Sequence, residues 1–586
     1  MQHRGPDGEG IEIRGQLAFG HRRLSIIDLS QGSQPMWSAC GRYGICFNGE
    51  IYNYIELRKE LESKGHRFRT NSDTEVLLMA MVEWGTEVLQ RLNGMFAFGF
   101  YDSESGELTL ARDHLGIKPV YYFHDSERLL FASDLGALAC HARFPRRMEP
   151  KAISHFFTWR VVPDPYTAYR DTWQLSPGHY LRVSRDGKVQ KGRYWDLAVE
   201  YDTGHPDPDT LERELEGLLE DALRLQVRSD VPVGAFLSGG VDSSTVTYWM
   251  GKAVPEPISF TIGFTGEDSE FDESRWADDV ARTVGTRHFL HVLKHYDMEP
   301  LLHSIAHYFS QPCATGIPNY FVSALARDHV KVALAGVGGD ECFAGYGRFA
   351  HGLSPGTIWN KKTDPVHSFL RSLVSFTDNN KRQFFTKEFH DEIASEPSIQ
   401  FIRSQSDHIR TRETVNKLCY IDMKHFMLND LLFNLDKMSM AHSLEVRVPL
   451  LDYRIVEFAM RVPPALKIRN GLQKILLKRA MYRRLPHHVF LRPKRGFSLP
   501  KQVWVPKLEP LIRSLVDRQT VERRGLFRWD AVDAFMTRIF SQRRVSWKDA
   551  NDIWILFSFE LWAKKFLDVA PSIEPPKADV LTWQGN

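Results

Sequence analysis

Two stretches, each an apolar run that breaks into glycines and a carboxylate, constrain the fold more than anything else in the chain. In VPVGAFLSGGVDSSTVTYWM, residues 231–250, a buried strand is expected to end at Leu237, and a short loop, SGGVDSS, to open a helix. Gly239 and Gly240 let backbone N–H groups approach an anion, and Ser238, Ser243 and Ser244 add hydroxyl donors. The helix N-terminus contributes partial positive charge. Asp242 would repel a phosphate unless Mg2+ lay between them, because hard cations are held by carboxylates together with phosphate oxygens. KVALAGVGGDECFAGYGRF, residues 331–349, repeats the design and ends in Asp340 and Glu341. Glu341 reads equally well as an ordinary acid at a helix N-terminus; Asp340 is harder to explain that way. Two such strand ends at the carboxyl edge of one open sheet would share a single Mg2+–pyrophosphate. The Walker pattern GxxxxGK[ST] is absent, which disfavours a P-loop kinase or GTPase.

Strands and helices alternate around these loops. LERELEGLLEDALRLQVRS and WADDVARTVG read as helices and PISFTIGF as a buried strand, which predicts a parallel sheet with crossover helices. From about 400 to 565 the pattern is mostly helical, and NDIWILFSFELWAKKFL (551–567) reads as a core helix. Residues 1–195 are different. Short strand-like runs such as YGICFNGEIYN, NGMFAFGFYD, GELTLARD and PVYYFHD, with a helix over 53–64 and another over TEVLLMAMVEW, predict a sheet-rich α+β domain. It ends in a hairpin turning at Asp186–Gly187, before a polar link, YDTGHPDPDT, at 201–210. The expected organisation is a first domain over 1–200, a second over 205–568 and a loose tail over 569–586.

Gross composition narrows the partners. At 586 residues the chain is too long for one hydrophobic core. Lysine and arginine total 75 against 73 acids, so charge gives no argument for nucleic acid or an anionic membrane as partner. Six cysteines lack CxxC or CxxH spacing, and no apolar run reaches the roughly 18 residues of a membrane span. A cytoplasmic protein that works on small molecules is expected.

The SGGVDS loop resembles that of the PP-loop ATP pyrophosphatases, which cleave ATP between the α and β phosphates. The likeness extends further. LDKMSMAHSLEVRVPLLD (435–452) and RPKRGFSLPKQVW (492–504), with HRGPDG, HRRLSIIDLS, FNGEIYN, NSDTE, NGMFAFGFYD and ARDHLGIKP upstream, resemble the glutamine-dependent asparagine synthetases along nearly the whole chain. The resemblance implies a class II glutaminase of Ntn-type αββα fold, then a PP-loop-like α/β synthetase domain with a helical C-terminal part. It implies ATP and Mg2+ as cofactors, glutamine or ammonia as nitrogen source, aspartate or another carboxylic acid as acceptor, and a homodimer in the family's manner. ATP would activate the carboxylate as an acyl-adenylate, and ammonia would displace AMP.

Carried over residue by residue, Arg23 would take the glutamine α-carboxylate within the stretch Arg23, Leu24, Ser25, Ile26 and Ile27. Glu50 and Asp73 would hold its α-ammonium, and Asn48 with the Gly49 N–H would form an oxyanion hole. In the second domain Leu237 and Ile262 would flank adenine, and the Ala335–Gly336 backbone would meet the nucleotide. Asp242 and Asp340 would take Mg2+–pyrophosphate, and Lys494 would stabilise charge on the α-phosphate.

Three departures from the family pattern stand out. The family's nucleophile is an N-terminal cysteine a few tens of residues ahead of HRGPD, and no cysteine lies near Met1; Cys40 and Cys46 sit in the wrong part of the pattern. As written, the chain has a glutamine pocket without its nucleophile, and its glutaminase half is expected to be inactive. Because Arg23, Asn48, Glu50 and Asp73 are retained, a start placed too far downstream is the expectation over a genuinely glutaminase-less protein. At Val337 the family carries an acid that contacts the acyl-adenylate, and valine can neither accept a proton nor pair with an ammonium. Ala335 replaces a usual serine, and QPCATGIPNY lacks an acidic pair ahead of its proline. These changes surround the acceptor rather than the ATP. They keep open two alternatives: an amide ligase related to β-lactam synthetases or lasso-peptide cyclases, and a non-catalytic nucleotide- or glutamine-binding homologue.

Overall fold

The computed structural model describes residues 1–198, 207–264, 272–293, 298–352, 364–409, 413–492 and 500–569. The expected link at 201–210 lies mostly outside the described residues, as do the tail beyond Val569 and Lys494.

The chain opens with a hairpin, β1 (Gly8–Arg14) and β2 (Leu17–Arg23). Next come β3 (Met36–Trp37), β4 (Tyr43–Ile51), α1 (Tyr54–Ser63) and α2 (Asp73–Trp84). They lead to β5 (Gly94–Asp102), β6 (Glu107–Arg112), β7 (Tyr121–His124) and β8 (Leu129–Ala132). Two further helices, α3 (Leu135–Ala139) and α4 (Pro150–Trp159), precede β9 (Thr172–Gln174), β10 (His179–Val183) and β11 (Val189–Arg193). The hairpin joining β10 to β11 turns at Gly187, whose φ of 80° suits glycine.

A six-stranded antiparallel sheet, ordered β11–β10–β6–β5–β4–β3, divides this domain. The alternation in NGMFAFGFYD explains its two faces. Phe96, Phe98 and Phe100 pack against Leu57, Leu61, Val76, Leu77 and Met81 of α1 and α2, each such buried side chain contributing roughly 1.5–3 kcal/mol. The Ser72 hydroxyl caps α2 by accepting from Thr74 N at 3.2 Å. Ala97 faces the other way, into a smaller core with Phe19, Leu110, Val120 and Leu181. The layer over that face comes in two pieces, β1–β2 and β8–β7–β9. Outside β7 lie α3 and α4, with Phe123 packed on Phe144. This is the expected α+β sandwich.

The second domain begins with α5 (Pro208–Gln226), β12 (Val233–Phe236), α6 (Val241–Ala253), β13 (Ile258–Phe264) and α7 (Ser274–Val284). It continues with β14 (Arg287–Leu293), α8 (Met298–Phe309), α9 (Ile317–Arg327), β15 (Val332–Leu334), the one-turn α10 (Gly339–Cys342) and, much later, β16 (Glu445–Arg447). The five strands run parallel in the order β14–β13–β12–β15–β16. The winding direction therefore reverses between β12 and β15, and the loops that leave these two neighbours open at the edge where such sheets bind ligands. Most of the rest is helical, and helix Trp547–Phe566 is buried nearly all round, with Trp554 and Trp562 in its core.

A buried ion pair and a buried hydrogen bond lock the domains together. Arg4 grips Asp436 with two bonds of 2.7 and 2.9 Å, and Asn93 Nδ2 donates to Asp452 at 2.9 Å.

Candidate functional site

Two sites emerge, one in each domain. The first is a cavity of about 400 Å3 between β2 and β8, lined by Gly20 and His21 on one side and by Phe131 and Ser133 on the other. Its floor is the inner face of the six-stranded sheet, where the small residues Ala97 and Gly99 leave room. Of the residues expected to bind glutamine, Arg23, Leu24, Ile26, Ile27, Asn48, Gly49, Glu50 and Asp73 all line it. Ser25 does not; it is buried alongside, its N–H donated to Asp7 at 2.8 Å.

The Arg23 guanidinium donates to the carbonyls of Ile27 (3.1 Å) and Asp28 (2.6 Å), which fixes the plane of its fork at the cavity wall. Asn48 Nδ2 donates to Ser133 Oγ at 3.0 Å. Gly49 has φ of 140°, and a Cβ there would collide with the Met95 backbone, so only glycine fits beside β5. Asp73 accepts from Ile51 N at 3.0 Å. Burial pushes Asp73 up from 3.8 to about 6. Burial, followed by Asp73 and then Glu445, holds Glu50 well above the carboxylate range, while Arg447 pulls the other way. Two buried carboxyls this close do not both ionise without a cation. The arrangement therefore favours a ligand that brings one.

The second site lies between the loops after β12 and β15. Lys474 Nζ bonds Asp242 Oδ2, and also Asp340 Oδ1 at 2.6 Å, with all three side chains buried. The carboxylates predicted to share a cation thus converge on one ammonium. Glycines make the approach possible. A Cβ on Gly336 would meet Ser243 N at 2.6 Å, and one on Gly345 would strike both Asp340 and Lys474. Within the loop, Ser238 Oγ and Ser243 Oγ lie 3.1 Å apart, and Gly240 N donates to Ser238 Oγ at 3.4 Å. Gly239 has φ of 69° against the Trp276 backbone. Ser244, expected to offer its hydroxyl to the ligand, is instead fully buried within α6, because the helix turns that position toward the core.

Leu237, just past β12, and Ile262, within β13, are both buried, and Leu237 N donates to Phe260 O at 2.9 Å. Ala335 N donates to Arg447 O at 2.8 Å, tying the second loop to β16. Val337 sits between Gly336 and Gly338, whose φ is 110°, and packs partly on the core. The Glu341 carboxylate accepts from Gly338 N (3.0 Å) and from the Tyr346 hydroxyl (2.6 Å). It thus serves the helix-capping role that was one of its two readings. Arg492 Nη1 donates to Ser238 O at 3.1 Å and its guanidinium pairs with Glu273.

Sequence reasoning missed Lys474, a lysine in LQKILLK with no local signature; its unusual φ of 54° at the start of helix Ile475–Met481 is visible only in the fold. It also missed β14 and β16, and with β16 the residues Glu445 and Arg447.

Two hard carboxylate oxygens meeting at one point, on glycine loops that open onto helix N-termini, fit a Mg2+ ion whose remaining shell is phosphate oxygen. A sandwich domain holding a cavity lined by Arg23, Asn48, Glu50 and Asp73, fused to an α/β domain with paired glycine–carboxylate loops, defines a class: the ATP-dependent amidotransferases. The family model described as Asparagine synthase matches residues 214–564, and the one described as Glutamine amidotransferase domain matches 1–195. Asparagine synthetase [glutamine-hydrolyzing] 1 of Bacillus subtilis is 32% identical over 89% of this chain and 86% of its own length. A putative asparagine synthetase [glutamine-hydrolyzing] of Mycobacterium tuberculosis is 33% identical over 99% of this chain and 95% of its own. The amidase chry2 of Gibberella zeae is 28% identical over 93% and 90%. The chain belongs to the asparagine synthase family. Among the described residues, no helix is long and apolar enough to cross a membrane.

Proposed function

We propose that this protein adenylates the side-chain carboxylate of aspartate and aminates it with ammonia drawn from glutamine. The observation that carries the reading is the convergence of Asp242 and Asp340 on one ammonium at the reversal point of the parallel sheet.

In this reading Asp242 and Asp340 hold Mg2+, which when bound screens the charge of the leaving pyrophosphate. Lys474, already between the two carboxylates, turns its ammonium to the phosphates, and the N–H groups of Gly239 and Gly240 cradle them. Leu237 and Ile262 enclose adenine, and the Ala335–Gly336 backbone lies along the nucleotide. Lys494 follows Arg492 in the chain, and Arg492 is anchored to Ser238 O; its role at the α-phosphate rests on the family motif.

In the first domain, the cavity offers Arg23 to the α-carboxylate of glutamine and the Glu50–Asp73 pair to its α-ammonium. Asn48 and the Gly49 N–H are read as the donors to the oxyanion. The domains of the working protein are read as 1–200 and 205–568.

The deciding experiment is pyrophosphate release from ATP and Mg2+ with ammonium and a panel of carboxylic acids. Release with aspartate, lost in Asp242→Asn and Asp340→Asn, supports the reading. Silence with aspartate but release with another acid transfers the chemistry to a different acceptor, which Val337 makes the principal rival. Nucleotide binding without release for any acid overturns catalysis altogether.

A further inference from the structure

Arg447 lies on β16, in the adenylating domain, and is completely buried. Its Nε donates to Glu445 at 2.9 Å, and its Nη1 donates to the carbonyls of Gln226 (2.8 Å) and Arg228 (2.7 Å). Three bonds of this kind leave a planar guanidinium no freedom to rotate. The remaining nitrogen, Nη2, points across the domain boundary to Glu50 Oε1 at 3.6 Å, too long for a hydrogen bond. Arg447 Nη2 and Glu50 Oε2 are both buried without a hydrogen-bond partner. Orphaned polar atoms on two facing buried side chains are costly to leave so, and of the two residues Glu50 lines the cavity.

We infer that Arg447 is a positioning residue for Glu50, so that the α-ammonium half of the glutamine pocket is built jointly by the two domains. The inference rests on the glutamine reading above and adds to it a residue that never touches the ligand. Glu50 is crowded by its own sign. Asp73 on α2 and Glu445 on β16 face it, with the phenols of Tyr52 and Tyr54 nearby; Arg447 and Arg23 are the cations that act on it. Lys118 approaches Glu445 at 3.8 Å and partly offsets that acid. Removing the Arg447 charge leaves Glu50 protonated up to a higher pH, and a neutral carboxyl does not hold an ammonium. The same residue accepts the Ala335 N–H through its carbonyl, so the residue that tunes Glu50 also supports the nucleotide loop.

The test is calorimetric binding of L-glutamine to the full chain between pH 5.5 and 8.5, for the wild type, Arg447→Met, Arg447→Lys and Glu50→Gln. Arg447→Met should bind about tenfold more weakly at pH 7, equivalent to one pKa unit at Glu50, and its affinity should fall off at a higher pH than the wild type's. Arg447→Lys, which keeps a cation, should recover part of both effects. If the methionine variant does not fold, the lysine variant alone carries the test, its shorter reach giving the same upward move in smaller measure. In a Glu50→Gln background the Arg447→Met change should have no further effect, so the double variant should bind like Glu50→Gln alone. Wild-type affinity and pH profile in the folded variants overturn the assignment to Arg447. A wild-type chain that binds no glutamine at any pH overturns instead the reading beneath it, a separate and recognisable outcome.

Discussion

Gly339 packs so tightly against Asp242 that a Cβ on the glycine would lie 2.6 Å from the carboxyl carbon. One loop therefore sets the position of the other's carboxylate. Gly339→Ala should push Asp242 away from the point it shares with Asp340. Overpacking of this kind costs about 1–3 kcal/mol of stability, while a displacement near 1 Å costs about a hundredfold in rate. ATP–pyrophosphate exchange should fall by that order, with L-glutamine binding in the distant cavity unchanged. Full exchange in a folded variant would separate Asp242 from the chemistry.

Lys474 is the one ammonium shared by two buried carboxylates, and its removal leaves like charges facing each other. Breaking a buried pair by deleting one partner costs about 3–5 kcal/mol, so Lys474→Met should lower the thermal midpoint of the free protein markedly. Added Mg2+ should restore part of the loss, and a chelator should remove the gain. A variant indifferent to Mg2+ would mean that the two acids do not form a cation seat.

The Glu50–Asp73 pair predicts opposite pH responses for folding and for binding. Asp73 is held near 6 in the folded chain against 3.8 in the open, chiefly by burial. Between those values the folded state binds more protons than the unfolded one, so this group's contribution to stability rises as pH drops from 7 through 6. Glutamine affinity should fall over the same range, because the ammonium needs an ionised partner. Melting curves and binding isotherms from pH 5 to 8 check both signs. Parallel trends would place the ligand's ammonium elsewhere.

Much of this was legible locally, and what was hidden depends on distant pairing. The loops at Ser238–Asp242 and Ala335–Asp340 announce themselves, because glycines and acids after an apolar run have few structural reasons to occur together. The alternation in β5 likewise declares which residues face the helices and which line the cavity. Lys474 and Arg447 carry no such signature. Each acts on residues more than a hundred positions away: Arg447 is carried to Glu50 on β16, and Lys474 reaches the two loops from the start of helix Ile475–Met481, which packs on α5. The three-residue β16 is too short for a periodicity argument, and β14, RHFLHVL, mixes histidines into its apolar run because it is an edge strand. Ser244 shows a related limit: a motif names residues in order, and the turn of α6 leaves that hydroxyl buried.

Val337 offers the sharpest test of the acceptor. It sits between two glycines at the mouth of the loop that ends in Asp340, and the acid after it, Glu341, is committed to capping Gly338 N and to the Tyr346 hydroxyl. No carboxylate therefore stands at 337 to contact an acyl-adenylate or take a proton from the incoming amine. If aspartate is the acceptor and the site works below capacity, Val337→Glu should raise amination of aspartate about tenfold or more, the lower end of what a positioned acid or base contributes, and leave ATP affinity unchanged. If another acid is the acceptor, the same substitution should depress turnover of that acid without improving aspartate. Measuring both substrates with both proteins distinguishes the cases: a gain for aspartate assigns the valine to a weakened version of the family reaction, whereas a loss confined to the second acid assigns it to a changed specificity.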